Sequence, residues 1–199
     1  SKSPSLGTGP GNLTSFKNTK LLLATIEKEW SYLNLEGAQI VGLSSSVNLD
    51  YLQAKYAVLS GMNFSGYQLN NANLSGATIN NCIFDDAHMT KARLKVVKGT
   101  RTSFKRATLN NAHFGYHGDD QTVLPGADFT SAQLNGALFL KADLGPYQLA
   151  PVKQVTKFNK ALMTNMEFSM ANLSEAEFTG GIPMHNTNFT SANFRDANL

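Results

Sequence analysis

From Leu59 onward a large apolar side chain returns at every fifth position. The series runs Leu59, Phe64, Leu69, Leu74, Ile79, Phe84, Met89, Leu94, then Phe104, Leu109, Phe114, then Phe129, Leu134, Phe139, Leu144 and Leu149. Its gaps are themselves multiples of five. Two residues before most of these stands a small side chain, as at Ala57, Ala72, Ala77, Cys82, Ala87, Ala92, Ala107 and Ala112, and from Ala127 to Ala142. The unit therefore reads small, polar, large, polar, polar. Five helical residues turn through about 500°, moving each large residue about 140° around the helix, while a strand changes face at every odd step. Either element would scatter the apolar positions between core and water. A polygonal coil does not: each unit forms one side, the two polar residues after the large one turn the corner, and coils stack at about 4.8 Å.

Ala72-Asn73-Leu74-Ser75-Gly76, Ala127-Asp128-Phe129, Ala142-Asp143-Leu144, Ala171-Asn172-Leu173 and Ala192-Asn193-Phe194 resemble the A(D/N)LXX unit of the pentapeptide-repeat family, with coverage from Leu33 to Leu199. The resemblance implies an all-β solenoid, a right-handed quadrilateral β-helix with about twenty residues per coil. Residues one coil apart then stack. Phe64, Phe84, Phe104, Leu124 and Leu144 are expected to form one interior ladder, and Leu69, Met89, Leu109, Phe129 and Leu149 another.

The phase also breaks. Leu33-Asn34-Leu35, Ala38-Gln39-Ile40 and Val47-Asn48-Leu49 continue the pattern upstream with one four-residue step near Ser44 to Ser46. A slip between Leu149 and Phe158 places a kink or an emerging loop at Gly145-Pro146 to Pro151-Val152, after which Met163, Phe168, Leu173 and Phe178 resume. One extra residue at Gly180-Gly181 reads as a bulge before Met184, Phe189, Phe194 and Leu199. Tyr67 and Met62 fill small-residue slots and predict local widening. Two interruptions keep the period, Lys95 to Thr100 and Gly115 to Gly126, and as coil units they would place Gly99 and Asp119 inward. An inward aspartate without a partner is costly, so Gly115 to Gly126 is expected to leave the coil.

Before the coils, Leu22, Ile26, Trp30 and Leu33 follow the spacing of one helical face, with Asn18 or Thr19 as cap. The expected organisation is a flexible lead-in over 1–18, a short N-terminal capping helix over 19–33 and the repeat solenoid over 34–199. The helix would plug the first coil. At the other end Leu199 is a large inward residue with no end-coil after it, so either the natural protein continues or two chains meet end to end as a homodimer.

Hydrophobic residues make up 42% and charged residues 16%, so Asn, Ser, Thr and Gly carry much of the polarity, and the net charge of +3 by itself announces no partner. No apolar run reaches the roughly 18 residues of a membrane span. Cys82 alone allows no internal disulfide and leaves the compartment open between cytosol and secretion into a host cell. No catalytic constellation, cofactor motif or metal site is read: His88, His113, His117 and His185 lie mostly at outward positions, and Asp85-Asp86 and Asp119-Asp120 read as solvated corner residues. Cys82 occupies an inward slot and reads as a packed thiol.

The informative charge is local. Lys91, Arg93, Lys95, Lys98, Arg101, Lys105 and Arg106 crowd sixteen positions, and no acid occurs from Ala87 to Gly118. All seven fall in polar slots, predicting an outward basic band beside the Gly115 to Gly126 loop and its Tyr116, suited to an acidic protein surface. Nucleic acid is the weaker partner, because no exposed aromatics interleave with the band. The expected function is a non-catalytic protein-binding or scaffolding module within a longer bacterial protein, such as a secreted effector. The resemblance offers an alternative, the DNA-mimicking topoisomerase-binding branch of the family, which the positive net charge disfavours. A β-helix polysaccharide lyase is a third class, for which five-residue regularity leaves no room.

Overall fold

A computed structural model of the chain describes residues 14–15, 17–18, 20–22, 33–34, 36, 39–41, 48–115, 118, 120–149 and 152–199. The residue between the small and the large one of each unit makes a parallel bridge to its counterpart on the next coil, twenty residues further on in the first coils: Asn48 to Gln68, Gln53 to Asn73, Val58 to Thr78 and Asn63 to Ile83. Four bridged positions per coil give the solenoid four sides. Side one carries Gln68 and His88, side two Asn73 and Arg93, side three Thr78 and Lys98, and side four Ile83 and Ser103. Coil-to-coil bonds satisfy the backbone, as from Leu69 N to His88 O at 2.7 Å and from Phe84 N to Ser103 O at 2.7 Å. Most corners close on a local bond, for example from Ala72 N to Leu69 O at 3.1 Å. The second corner residue enters the left-handed region. Glycine does this at Gly61 and Gly76, but Tyr51, Asn71, Lys91, Val96 and Arg101 also have φ between 54° and 63°.

The interior holds the small and large residues of every unit. On side four, Phe64, Phe84, Phe104, Phe129, Phe158 and Phe178 form a column of near-parallel rings with centroids 5.0 to 5.1 Å apart. On side two, opposite, Phe114, Phe139, Phe168 and Phe189 stack at 4.4 to 5.4 Å. The two columns meet edge to face across the axis, as Phe104 with Phe114 at 5.8 Å and Phe129 with Phe139 at 5.6 Å. Met62 is buried in its small slot, whereas Tyr67 is half-buried with its edge against Phe64 at 5.9 Å. Gly99 also faces inward: a Cβ there would lie 2.6 Å from Ile79 Cγ1 and 2.9 Å from Leu124 Cδ2, so its neighbours along the column fill the space.

Two excursions reset the register. Arg93 bridges His113 at a separation of twenty, but Lys98 bridges Val123 and Ser103 bridges Asp128 at twenty-five, so the register gains five residues between Phe114 and Thr122. Thr122 closes the excursion from inside: its hydroxyl donates to Phe114 O and accepts from Val96 N at 2.8 Å. A second excursion of nine residues follows Leu144, since Asp128 bridges Lys157 and Asp143 bridges Asn172 at twenty-nine. It contains an antiparallel hairpin. After Gly180-Gly181, with φ of 93° and 69°, separations become twenty-one, the expected one-residue bulge.

These offsets correct several expectations. Leu124 and Leu144 do not follow Phe104: they stack on side three, while Phe129 and Phe158 take the places above Phe104. Leu109 is likewise followed by Leu134, not Phe129. The loop is shorter than expected, because Thr122 and Leu124 are buried coil residues and Val123 is bridged on both sides. Lys95 to Thr100 is coil throughout, with Val97 in the small slot.

At the start of the chain the strands are β1 (Thr14–Ser15), β2 (Lys20–Leu22), β3 (Leu33–Asn34) and β4 (Gln39–Val41). β1 pairs β3 and β2 pairs β4, both parallel, with partners nineteen residues apart. The hairpin supplies β5 (Tyr147–Leu149) and β6 (Val152–Gln154). Where the sequence predicts a capping helix over 19–33, both described ends are strand, and 23–32 lie outside the described residues. The exposed backbone edge of a coil is itself a template for strand pairing, which at Lys20–Leu22 outcompetes a short and marginal helix.

Candidate partner-binding surface

The seven basic residues encircle the solenoid. Lys91 turns the corner from side one to side two, Arg93 lies on side two, Lys95 on the next corner, Lys98 on side three, Arg101 on the corner after it, and Lys105 and Arg106 on the corner before side one. Twenty residues make a coil, so sixteen consecutive positions necessarily wrap almost the whole perimeter. None of the seven is buried. The structure therefore places them in a belt, and no flat partner can touch all of them. Tyr116 lies outside the described residues.

The belt is electrostatically uneven. Arg106 donates Nε and Nη2 to the two carboxylate oxygens of Asp86, both at 2.7 Å, and this fork holds the Asp86 carboxyl below its ordinary range. Lys105 lies 3.4 Å from Asp128, and the Arg101 guanidinium stacks 5.5 Å from the Tyr147 ring centroid on β5. Asp85, next to Asp86, accepts from Lys105 N at 3.1 Å and from Ser103 Oγ, the corner role the sequence implied. Charge on the side-four half is thus largely matched.

Side two differs. Arg93 and Lys91 flank a groove of about 560 Å³ that Tyr51, Gln53, Asn71, Asn111 and His113 complete. His113 is half-buried, and its pKa is lowered, first by burial and then by Lys95 and Arg93. Tyr51 was missed as a site residue because forty positions separate it from Lys91; the twenty-residue coil puts both on one corner, two coils apart. A signal was available: Tyr51, Asn71, Lys91 and Asn111 recur at intervals of twenty.

Cys82 is fully buried, its thiol donates to Leu59 O at 3.0 Å, and burial pushes its pKa up to about 12. Among the described residues no group of three His, Cys, Asp or Glu is placed to hold a metal, and no helix is long and apolar enough to cross a membrane. In the last coil Ile182, Met184, Phe189 and Phe194 are half-buried and Leu199 is exposed.

The family model described as pentapeptide repeats matches residues 48–86 in eight copies. Among solved structures, the chain is similar to HetL, a pentapeptide repeat protein involved in heterocyst differentiation regulation from the cyanobacterium Nostoc sp. strain PCC 7120. Identity is 19% over 94% of this chain and 87% of that one, with a TM-score of 0.45. It is similar to trypsin-treated QnrB1, a plasmid-mediated fluoroquinolone resistance protein, with 12% identity over 89% and 92% of the chains and a TM-score of 0.49. A pentapeptide repeat protein from the Arabidopsis thaliana thylakoid lumen is 22% identical over 78% and 70%, with a TM-score of 0.38. No curated protein matches the chain.

Proposed function

We propose that the chain is a non-catalytic protein-binding or scaffolding module, working within a longer bacterial protein of the secreted-effector kind; the eight pentapeptide repeats matched over residues 48–86 support this reading. The observation that carries this reading is the basic belt, held outward on a backbone whose groups are bonded coil to coil. Rigid display lowers the ordering cost of binding, and clustered cations steer an acidic surface toward them. The DNA-mimicking alternative needs a surface of negative charge, and the acid-free stretch from Ala87 to Gly118 opposes it.

The main test is surface plasmon resonance over immobilised poly-glutamate and, separately, duplex DNA. The triple reversal Lys91→Glu, Arg93→Glu and Lys98→Glu should slow association with poly-glutamate and flatten its salt dependence while the melting temperature holds, since all three side chains are exposed. Association that is unchanged at low salt, or stronger for duplex DNA, would refute the reading.

A further inference from the structure

We infer that side two carries a track for an extended acidic peptide, with an acid-recognising half at Arg93 and an apolar half at Leu138. The inference rests on the reading above that this protein binds through its cationic surface. Arg93, His113 and Leu138 are successive rungs of one ladder, bridged Arg93 to His113 and His113 to Leu138. The groove of about 560 Å³ at the Arg93 end has no carboxylate in its lining. A second groove of about 450 Å³ begins at the same His113 beside Lys95, passes Leu138 and Leu140, and ends at Glu167 and Ser169. His113 joins the two.

The chemistry changes sign along this track and so fixes the direction of the occupant. Glu167 accepts from Ser169 N at 2.9 Å and from the Asn188 side-chain amide at 3.0 Å, so a negative end is set beyond the leucines. A ligand carboxylate is attracted at Lys91 and Arg93 and repelled at Glu167. A nucleic acid strand, with a phosphate at every step, would place charge against Leu138 and Glu167, where Lys95 is the single lysine lining the groove. A peptide with one acid and one aliphatic side chain suits both halves.

Spacing narrows the backbone conformation. Two rungs span about 10 Å at the ordinary strand separation. In a polyproline helix, residues i and i+3 point the same way about 9.3 Å apart, whereas same-face residues of an extended strand are about 6.8 or 13.6 Å apart. An acid at i and a leucine at i+3 therefore fit Arg93 and Leu138. Tyr51, 66% exposed at the acid end, offers the flat aromatic wall on which such helices dock.

The test is titration of the isotope-labelled full chain, followed by amide chemical shifts, with the peptide Pro-Glu-Pro-Pro-Leu-Pro. Shifts should centre on Arg93, His113 and Leu138. Moving the leucine to i+2, in Pro-Glu-Pro-Leu-Pro-Pro, should weaken binding severalfold, and Arg93→Gln and Leu138→Asp should each weaken it about tenfold. Unchanged melting temperatures confirm that both variants fold. Equal binding of the two peptides, shifts centred on another side, or the same shifts from inorganic phosphate or duplex DNA would overturn the track. If the charge-reversed belt still loses poly-glutamate binding while the peptide leaves side two unmoved, this inference alone fails. If neither ligand binds, the broader reading fails with it.

Discussion

Phe104→Ala tests whether the ring columns hold the coils together. Phe104 is fully buried, stacked 5.1 Å from Phe84 below and 5.0 Å from Phe129 above, with an edge contact to Phe114 at 5.8 Å. Truncating a buried phenylalanine costs about 3–5 kcal/mol, and contacts on three sides that cannot collapse into the gap put this site near about 5 kcal/mol. Phe189 provides the internal comparison. It is only half-buried and stacks on Phe168 at 5.4 Å, so Phe189→Ala should cost about 2 kcal/mol. Urea unfolding followed by circular dichroism measures both. A solenoid is coupled only between neighbours, so the Phe104 gap should also reduce cooperativity, separating coils before it from coils after it. A loss below about 1.5 kcal/mol at Phe104, or equal losses at the two sites, would show that the backbone ladder and not the ring column sets stability.

The repeat pattern suggests a large residue at Gly99, but its neighbours occupy that space, so Gly99→Leu should destabilise by about 1–3 kcal/mol by thermal melting. Deleting residues 116–120 takes out the five residues that the register gains before Thr122, and the melting temperature should stay within a few degrees; a cooperative collapse would refute this. The Cys82 thiol, pushed up to about 12, should resist alkylation across pH 7–9 in the folded protein and react on unfolding. Rapid native labelling that rises through pH 8.5 would mean an accessible, ordinary thiol. Val96 is β-branched yet has φ of 60°, so Val96→Gly should raise stability by about 1 kcal/mol, read from urea midpoints.

The period in the sequence made the coil legible because inward and outward positions differ in kind at every fifth residue. The nine-residue excursion was legible for the same reason: nine is not a multiple of five, so Phe158 visibly loses phase with Leu149. The excursion after Phe114 was legible as a loop, from the cost of an inward Asp119, but its length was not, since removing one whole unit leaves the period intact while turning every later residue onto the next side. Phe104 was therefore matched with Leu124 when its ring lies under Phe129. The basic band was legible as a charge cluster, but its neutralisation was not. Arg106 meets Asp86 and Lys105 meets Asp128 across coils, and Arg101 meets Tyr147 across an excursion that sequence distance conceals. At the start of the chain, a helical spacing at Leu22, Ile26 and Trp30 competed with pairing to Gln39–Val41, a long-range contact that local periodicity cannot register.

Among the described residues, most corners bend through a similar left-handed backbone angle whatever side chain stands there. Tyrosine, asparagine, aspartate, lysine, arginine, methionine and glutamate all occupy that position with φ near 60°. The backbone angle is a property of the address, while its cost depends on the tenant, lowest for glycine and highest for a β-branched residue such as Val96. A corner can therefore exchange a cation for an acid or an aromatic without shifting the coils beside it, and two such exchanges twenty residues apart land side by side. The outer surface behaves as a grid whose coordinates are coil number and corner, and recognition can be rewritten cell by cell while the architecture beneath stays constant.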